Sequence, residues 1–241
     1  MADWLEQVVR RVSAHEGSYG SLNLNQDGAG LSFGILQWSQ RTGGLGELLV
    51  ALCASDPIQF AETFRSAWEC LIDRTQAGSL EPVAGVVLWE EPWVGRFRTA
   101  GRVPAWQAVQ DRMARSGVYM RAALEAARTL QVPTQRAVTM AYDTAVQQGP
   151  GRATRYAIQA VQAHPAGTDR ERLEAFAHLC AAGFSAHHRP TRKPGRGLDW
   201  RQVGDRWHLF AGQIDLFQDV QRRRQAILAD PALSDDVVEL P

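Results

Sequence analysis

Trp4, Leu5, Val8, Val9 and Val12 recur at the three- and four-residue spacing of one helical face, and Glu6, Arg10 and Arg11 fill the other. The pattern predicts a helix over 3–15, opened by Asp3 and Glu6 as an aspartate variant of the capping box and stopped at Gly17. Glu16 then stands at the helix C-terminus, where the dipole disfavours a negative carboxylate and so favours a held proton. From Ser18 the period is lost. Asn, Asp and Gly dominate as far as Gly30, after which Leu31, Phe33 and Ile35 alternate with Ser32, Gly34 and Leu36. This predicts a turn-rich loop running into a short strand or hairpin.

After Gly43-Gly44 the helical period returns. Further helices are predicted over 45–54, 58–73, 105–131 with a break near Gly117, 134–148, 152–163, 169–182 and 201–228. Pro133 suits the first turn of its helix, and Gly149-Pro150-Gly151 ends that helix. Long loops are predicted over 90–95 and 187–197, and the tail 229–241 is expected to be loosely held. No internal repeat or clear linker divides the chain, so 1–241 is expected to form a single domain.

Composition narrows the function classes. Apolar residues at 45% and charged residues at 22% are ordinary for a folded soluble protein. The 26 basic and 26 acidic residues balance, which argues against a nucleic-acid binder built on the arginines. No run approaches the roughly 18 apolar residues of a membrane span. The start Met-Ala-Asp-Trp-Leu-Glu lacks the basic and apolar regions of a signal peptide, so the chain is expected to be made in the cytoplasm without one. Cys53, Cys70 and Cys180 are odd in number and read as reduced core thiols. No Cys/His spacing suits a metal. Asn23-x-Asn25-x-Asp27-Gly28 has the rhythm of a calcium loop, but it opens on Asn and has Gly34 where the bidentate Glu belongs. No metal and no cofactor are therefore expected.

The candidate chemistry lies in the first forty residues. Asp27 follows Glu16 by eleven positions and Ser32 follows Asp27 by five. Glycosidic cleavage needs two carboxyl groups, one to protonate the leaving oxygen and one to activate water or to attack. This segment offers both, with a hydroxyl nearby.

Glu16-Gly17 followed by Asp27-Gly28-Ala29-Gly30-Leu31-Ser32-Phe33-Gly34-Ile35 resembles the lysozyme-like superfamily of glycoside hydrolases. Phage-type lysozymes have a similar Glu-Gly, an Asp-bearing hairpin and a Thr before an Ile-Gly element. Bacterial chitosanases carry Asp-Gly-Arg-Gly-Tyr-Thr-Ala-Gly-Ile, which differs from 27–35 here at positions 29, 31, 32 and 33. Gly34-Ile35-Leu36-Gln37 is similar to the Gly-Leu-Met-Gln of lytic transglycosylases. A second patch, Ala141 to Gly151, resembles the chitosanase segment Tyr-Asp-x-x-Val-x-His-Gly-Pro-Gly, with Gln148 in place of the histidine.

The resemblance implies an α+β, mainly α, lysozyme-like two-lobed domain, with a small β-hairpin lobe, a helical lobe and a cleft between them. It implies Glu16 as general acid, Asp27 as the base that activates water and Ser32 as the hydroxyl that positions it. Ser32 in place of threonine lacks the methyl that fixes the rotamer. In a transglycosylase, by contrast, Glu16 would act alone as acid and then base.

Tyr19 and Trp38 flank the expected cleft as sugar-stacking candidates, ahead of Trp89, Trp93 and Trp106. Gln37 suits an N-acetyl group, and Asn25 joins the candidate substrate contacts from the polar turn. Asp143 is implied to belong to an arginine-linked network, with Arg155, Arg189, Arg206 and Arg222 as candidate partners. The run Arg222-Arg223-Arg224 reads as the wet face of the last helix, and His187-His188 as part of a solvated loop.

The function expected is an inverting hydrolase of the β-1,4 linkages of bacterial peptidoglycan, muramidase- or endolysin-like. Chitosan hydrolysis, transglycosylation and a non-catalytic wall-binding or baseplate module are the alternatives. The expected partners are peptidoglycan glycan strands and a phage or contractile injection apparatus for delivery. The site of action is then the cell wall or periplasm.

Overall fold

The structure is a computed structural model that describes residues 3–191, 193–195 and 197–240, with the side chains of Asp3, His15 and Glu16 outside the described set. In chain order it comprises α1 (Asp3–Glu16), β1 (Leu22–Leu24), β2 (Leu31–Phe33), β3 (Trp38–Ser39), α2 (Gly44–Ser55) and α3 (Pro57–Phe64). A 3-10 turn at Arg65–Ala67 leads into α4 (Trp68–Gln76), α5 (Trp93–Ala100), α6 (Pro104–Ser116), α7 (Val118–Leu130), α8 (Gln135–Gln148) and α9 (Pro150–Ala163). Then come α10 (Asp169–Ala182), β4 (Ser185–Ala186), β5 (Leu198–Val203), β6 (Arg206–Ala211), β7 (Ile214–Asp215) and α11 (Leu216–Ala229). Two compact units emerge, Ser13–Arg115 and Met1–Val12 with Ser116–Pro241. Among the described residues no helix is long and apolar enough to cross a membrane.

In the unit Ser13–Arg115 the strands form an antiparallel sheet in the order β1-β2-β3, with Asn23 opposite Ser32 and Phe33 opposite Trp38. Leu31 and Phe33 are fully buried and anchor the sheet on an aromatic core. The Phe33 ring lies 5.2 Å from Phe97, and Phe97 lies 5.2 Å from Phe64, which contacts Phe60 at 4.7 Å. The predicted helix 58–73 is divided here: Arg65 takes a positive φ of 65° and closes α3 before α4 begins. The loop predicted over 90–95 contains the start of α5. Pro92 sits at its N-cap and Gly95 lies within it, so both breakers masked an apolar stripe of Trp93, Val94, Phe97 and Ala100. The break near Gly117 falls where expected, between α6 and α7, with Gly117 extended at φ −74° and ψ −178°.

The second unit is built around α8, which is buried continuously from Gln135 to Ala145. Two of its threonine hydroxyls are satisfied within the helix: Thr139 donates to the Gln135 carbonyl and Thr144 to the Met140 carbonyl, both at 2.8 Å. Thr134 is the N-cap, accepting from the Ala137 amide at 3.2 Å, so Pro133 precedes the cap instead of opening the first turn. Thr168 and Glu171 complete a capping box on α10.

The predicted helix 201–228 is wrong over its first half. Residues 198–215 supply β5, β6 and β7 of an antiparallel sheet in which β6 pairs with β4, β5 and β7. Two-residue turns opening on Gly204 (φ 62°) and Gly212 (φ 58°) join its last three strands. Asp215 then caps α11 through the Gln218 amide, at 3.2 Å, and pairs with His208 at 2.8 Å. Residues after α11 carry more contacts than the sequence pattern suggests. Arg136 reaches the carbonyls of Ile227, Asp230 and Leu233 and the carboxylate of Asp235, and the Val238 amide meets the Pro133 carbonyl at 2.8 Å.

Candidate active site

Gly17 ends α1 with φ 143°, and a Cβ there would lie 2.4 Å from the Ser21 hydroxyl. This places Glu16 as the last residue of the helix; its side chain lies outside the described residues. The chain then turns back at once. The Ser18 amide donates to Ser21 Oγ at 2.7 Å, and the Gly34 amide to the Ser21 carbonyl at 3.0 Å, which joins the segment after Glu16 to the end of β2.

The β1–β2 turn carries Asp27 and is held by its own polar side chains. Asn23 Oδ1 accepts from the Gln26 amide and Asn25 Oδ1 from the Gly30 amide, each at 3.0 Å. Asn25 itself has φ 63°, a conformation that asparagine tolerates better than most residues. Arg41 grips the Gly28 carbonyl through Nε and Nη2 at 3.0 and 2.8 Å. Asp27 is exposed on this frame, with Oδ1 accepting from the Ala29 amide at 3.0 Å. Ser32 is 4% exposed. It sits on the sheet row shared with Asn23 and Ser39, on the face opposite to Leu31 and Phe33. Asp27, Ser32 and the end of α1 therefore belong to one compact unit and one short stretch of chain.

The other predicted site residues divide. Tyr19 is half-buried, its hydroxyl donating to Asp111 at 2.9 Å and its carbonyl accepting from Gln110 Nε2 at 3.1 Å. Asn25 and Gln37 use their amides on the backbone, Gln37 Nε2 donating to the Gly34 carbonyl at 2.9 Å and the Ser21 carbonyl at 3.3 Å. Trp38 requires correction. At 5% exposure, packed beside Gly34 and Gly44, its ring offers no open face to a sugar.

Asp143 does belong to an arginine-linked network, but its expected partners, and its place among the substrate contacts, require correction. It is 1% exposed in the second unit, and its partners are Arg223 and Arg224 instead of any of the four arginines expected. Arg224 is itself fully buried, so the 222–224 run is not a wet face throughout. Among the described residues no cluster of three or more His, Cys, Asp or Glu side chains could hold a metal.

Gln110 is a buried structural tie that the sequence pattern did not single out. Fully buried on α6, it accepts from the Ile35 amide at 3.1 Å while donating to Tyr19, and so ties the strand exit to the segment after Glu16. The signal available was an amide in phase with Trp106 and Ala114 on the apolar stripe of α6. Beside this segment lies an open pocket of about 370 Å³, bordered by Ser18, Tyr19, Gly20, Arg98, Gly101 and Arg102.

No protein-family model matches the sequence, nor does any curated protein sequence. Solved structures do. A native chitosanase from Bacillus subtilis MY002 superposes with a TM-score of 0.64 at 14% identity, covering 93% of this chain and 87% of that one. A GH46 chitosanase of Gynuella sunshinyii in complex with chitotetraose gives 0.63 at 16% identity, over 95% of this chain and 88% of that one. A further chitosanase complex gives 0.56 at 23% identity, over 73% and 77%. What is shared at these identities is the fold: the mainly helical α+β, lysozyme-like architecture of the chitosanases.

Proposed function

We propose that the protein is a glycoside hydrolase acting on a β-1,4-linked amino-sugar polymer, with bacterial peptidoglycan as its substrate. Glu16 protonates the departing glycosidic oxygen, Asp27 takes a proton from the attacking water, and Ser32 orients that water. Such an inverting displacement requires the two carboxyl groups to stand about 6.5–9.5 Å apart so that a water fits between base and anomeric carbon. The observation that carries the reading is the chitosanase fold over nearly the whole chain, combined with Asp27 exposed on a pinned turn in the unit that holds the end of α1. Peptidoglycan lies outside the cytoplasmic membrane. The reading therefore places the site of action in the wall, reached by release or through a phage or contractile injection apparatus.

The test is clearing of purified cell walls. General acid–base groups contribute about 10²–10⁴-fold to rate. Glu16→Gln and Asp27→Asn should each lose activity on that scale while retaining the far-ultraviolet spectrum of the wild type. Equal clearing by Glu16→Gln would remove the acid assignment. Full activity of Asp27→Asn with anhydro-sugar products would point to transglycosylation, and wall binding without clearing by the wild type would leave a binding module.

A second reading, hydrolysis of chitosan, is favoured by the structures the chain resembles, one of which holds chitotetraose. Parallel assays on chitosan and on walls separate the two. Against chitosan stands the absence of an acidic surplus, since 26 acidic residues meet 26 basic ones and a cationic polymer gains little from that balance.

A further inference from the structure

We propose that the pocket between α5 and the Ser18–Gly20 segment is a subsite for a carboxylate carried by the glycan. The inference rests on the hydrolase reading above and names the chemistry its substrate must present. Arg98 and Arg102 stand four residues apart at the end of α5, both exposed and both on the wall of the pocket of about 370 Å³. Neither has an acidic partner among the described residues. Many other arginines of the chain do: Arg10 pairs with Glu6, Arg170 with Glu174, and Arg223 with Asp143. Two guanidinium groups thus line one concavity whose described lining includes no acid. A guanidinium fork matches a carboxylate in a bidentate geometry that an ammonium cannot reproduce.

The floor of the pocket is fixed before any ligand arrives. Gly101 and Gly20 meet backbone to backbone, so closely that a Cβ on Gly101 would lie 2.3 Å from Gly20 Cα. Gln107 Nε2 donates to the Gly101 carbonyl at 2.9 Å, while Asp111 and Gln110 tether Tyr19. Only the two arginine side chains remain to be ordered on binding, which keeps the entropic cost of recognition small. Ser18 lies two residues beyond Glu16, so a sugar held here is close along the chain to the proposed acid. A polymer of cationic glucosamine would meet like charge at this wall. A polymer of muramic acid presents either its lactyl carboxylate or the carboxylates of its attached peptide.

The experiment uses the full chain carrying Glu16→Gln, titrated calorimetrically with four ligands. They are a peptide-free tetrasaccharide of alternating N-acetylglucosamine and N-acetylmuramic acid, the same with its lactyl carboxylates amidated, the same bearing stem peptides, and an N-acetylglucosamine tetramer. The first should bind more tightly than its amidated form and than the tetramer. Adding Arg98→Ala with Arg102→Ala should weaken it roughly tenfold, the scale of two exposed ion pairs, and the contrast should fade at high salt. The two uncharged tetrasaccharides, the amidated form and the N-acetylglucosamine tetramer, should bind the double variant and its parent alike. Carboxylate dependence seen only with the peptide-bearing ligand assigns the subsite to the peptide.

Equal affinity for all four ligands, or a double variant that binds them all as its parent does, overturns the proposal. The two readings fail separately. Walls cleared with an unchanged KM by the double variant would remove the subsite and keep the hydrolase. Carboxylate-dependent binding without any clearing by the wild type would keep the subsite and remove the catalytic reading.

Discussion

Asparagine in place of Asp143 keeps the shape of the side chain and removes one charge from a buried trio. Asp143 is 1% exposed, Arg224 fully buried and Arg223 15% exposed in its side chain. Arg224 also has a 3.3 Å contact to Gln147 Oε1, which is a neutral acceptor and does not replace the carboxylate. Two guanidinium groups then lose the carboxylate they share. Breaking a buried pair by removing one partner costs about 3–5 kcal/mol, because the remaining charge is desolvated and uncompensated. Asparagine retains one acceptor and Arg223 can turn toward water, so about 3 kcal/mol is expected for Asp143→Asn and the upper end for Asp143→Ala. A chain of this size loses roughly 2–4 °C of melting temperature per kcal/mol, so Asp143→Asn should melt roughly 6–12 °C lower. Urea unfolding followed by circular dichroism gives the free energy directly. A joint replacement, Asp143→Leu with Arg224→Met, exchanges the desolvated charges for packing and should be less harmful than Asp143→Ala alone. A loss below about 1 kcal/mol for Asp143→Asn, or a joint variant no better than the single one, would refute the treatment of this trio as a desolvated network.

Arg136 gives a related expectation at the other end of α8. It donates to the carbonyls of Ile227, Leu228, Asp230 and Leu233 and to Asp235, so Arg136→Leu should cost about 3 kcal/mol or more. Limited proteolysis of that variant should cut after α11 well before the wild type is cut there. The cysteines should separate by alkylation. Burial pushes the Cys180 thiol up to about 12, so it should react only on unfolding, whereas exposed Cys70 should react in the native state. Because the folded state raises this pKa, the contribution is complete below the unfolded thiol's ordinary value. Stability should fall as pH rises from there toward 12, and Cys180→Ala should flatten that decline in unfolding experiments at alkaline pH.

Local patterns made most helices of this fold legible, and the misses have particular causes. The strands at 198–215 were hidden because a long charged run followed by a helix reads as one helix. Yet Gly204-Asp205 and Gly212-Gln213 are turn signals, and Trp200, Gln202 and Trp207, Leu209 alternate across them. That error carried another with it. With α11 isolated as 216–229, Val220, Arg224, Ile227 and Leu228 fall on one stripe and mark Arg224 as an inward charge that needs an acid. Its acid is Asp143 on α8, at a separation that no local pattern spans.

The site shows a different limit. Residue type alone nominated Asn25, Gln37 and Trp38 beside Asp27 and Ser32, because polar turn residues and aromatics near an acid look like substrate contacts. The fold spends most of them elsewhere. Asn23 and Asn25 close the β1–β2 turn, Gln37 bridges two carbonyls, Gln40 holds the Leu31 amide at 3.1 Å and Trp38 is packed away. An irregular segment has few backbone partners, so its side-chain amides are consumed in satisfying the backbone. What such a segment can offer a substrate is what remains after that demand is met. In this one the Asp27 carboxylate remains exposed, with one oxygen tied to Ala29, on a frame whose neighbours are held in place by the residues that a sequence reading would assign to the ligand; its use on a substrate is the proposal made above.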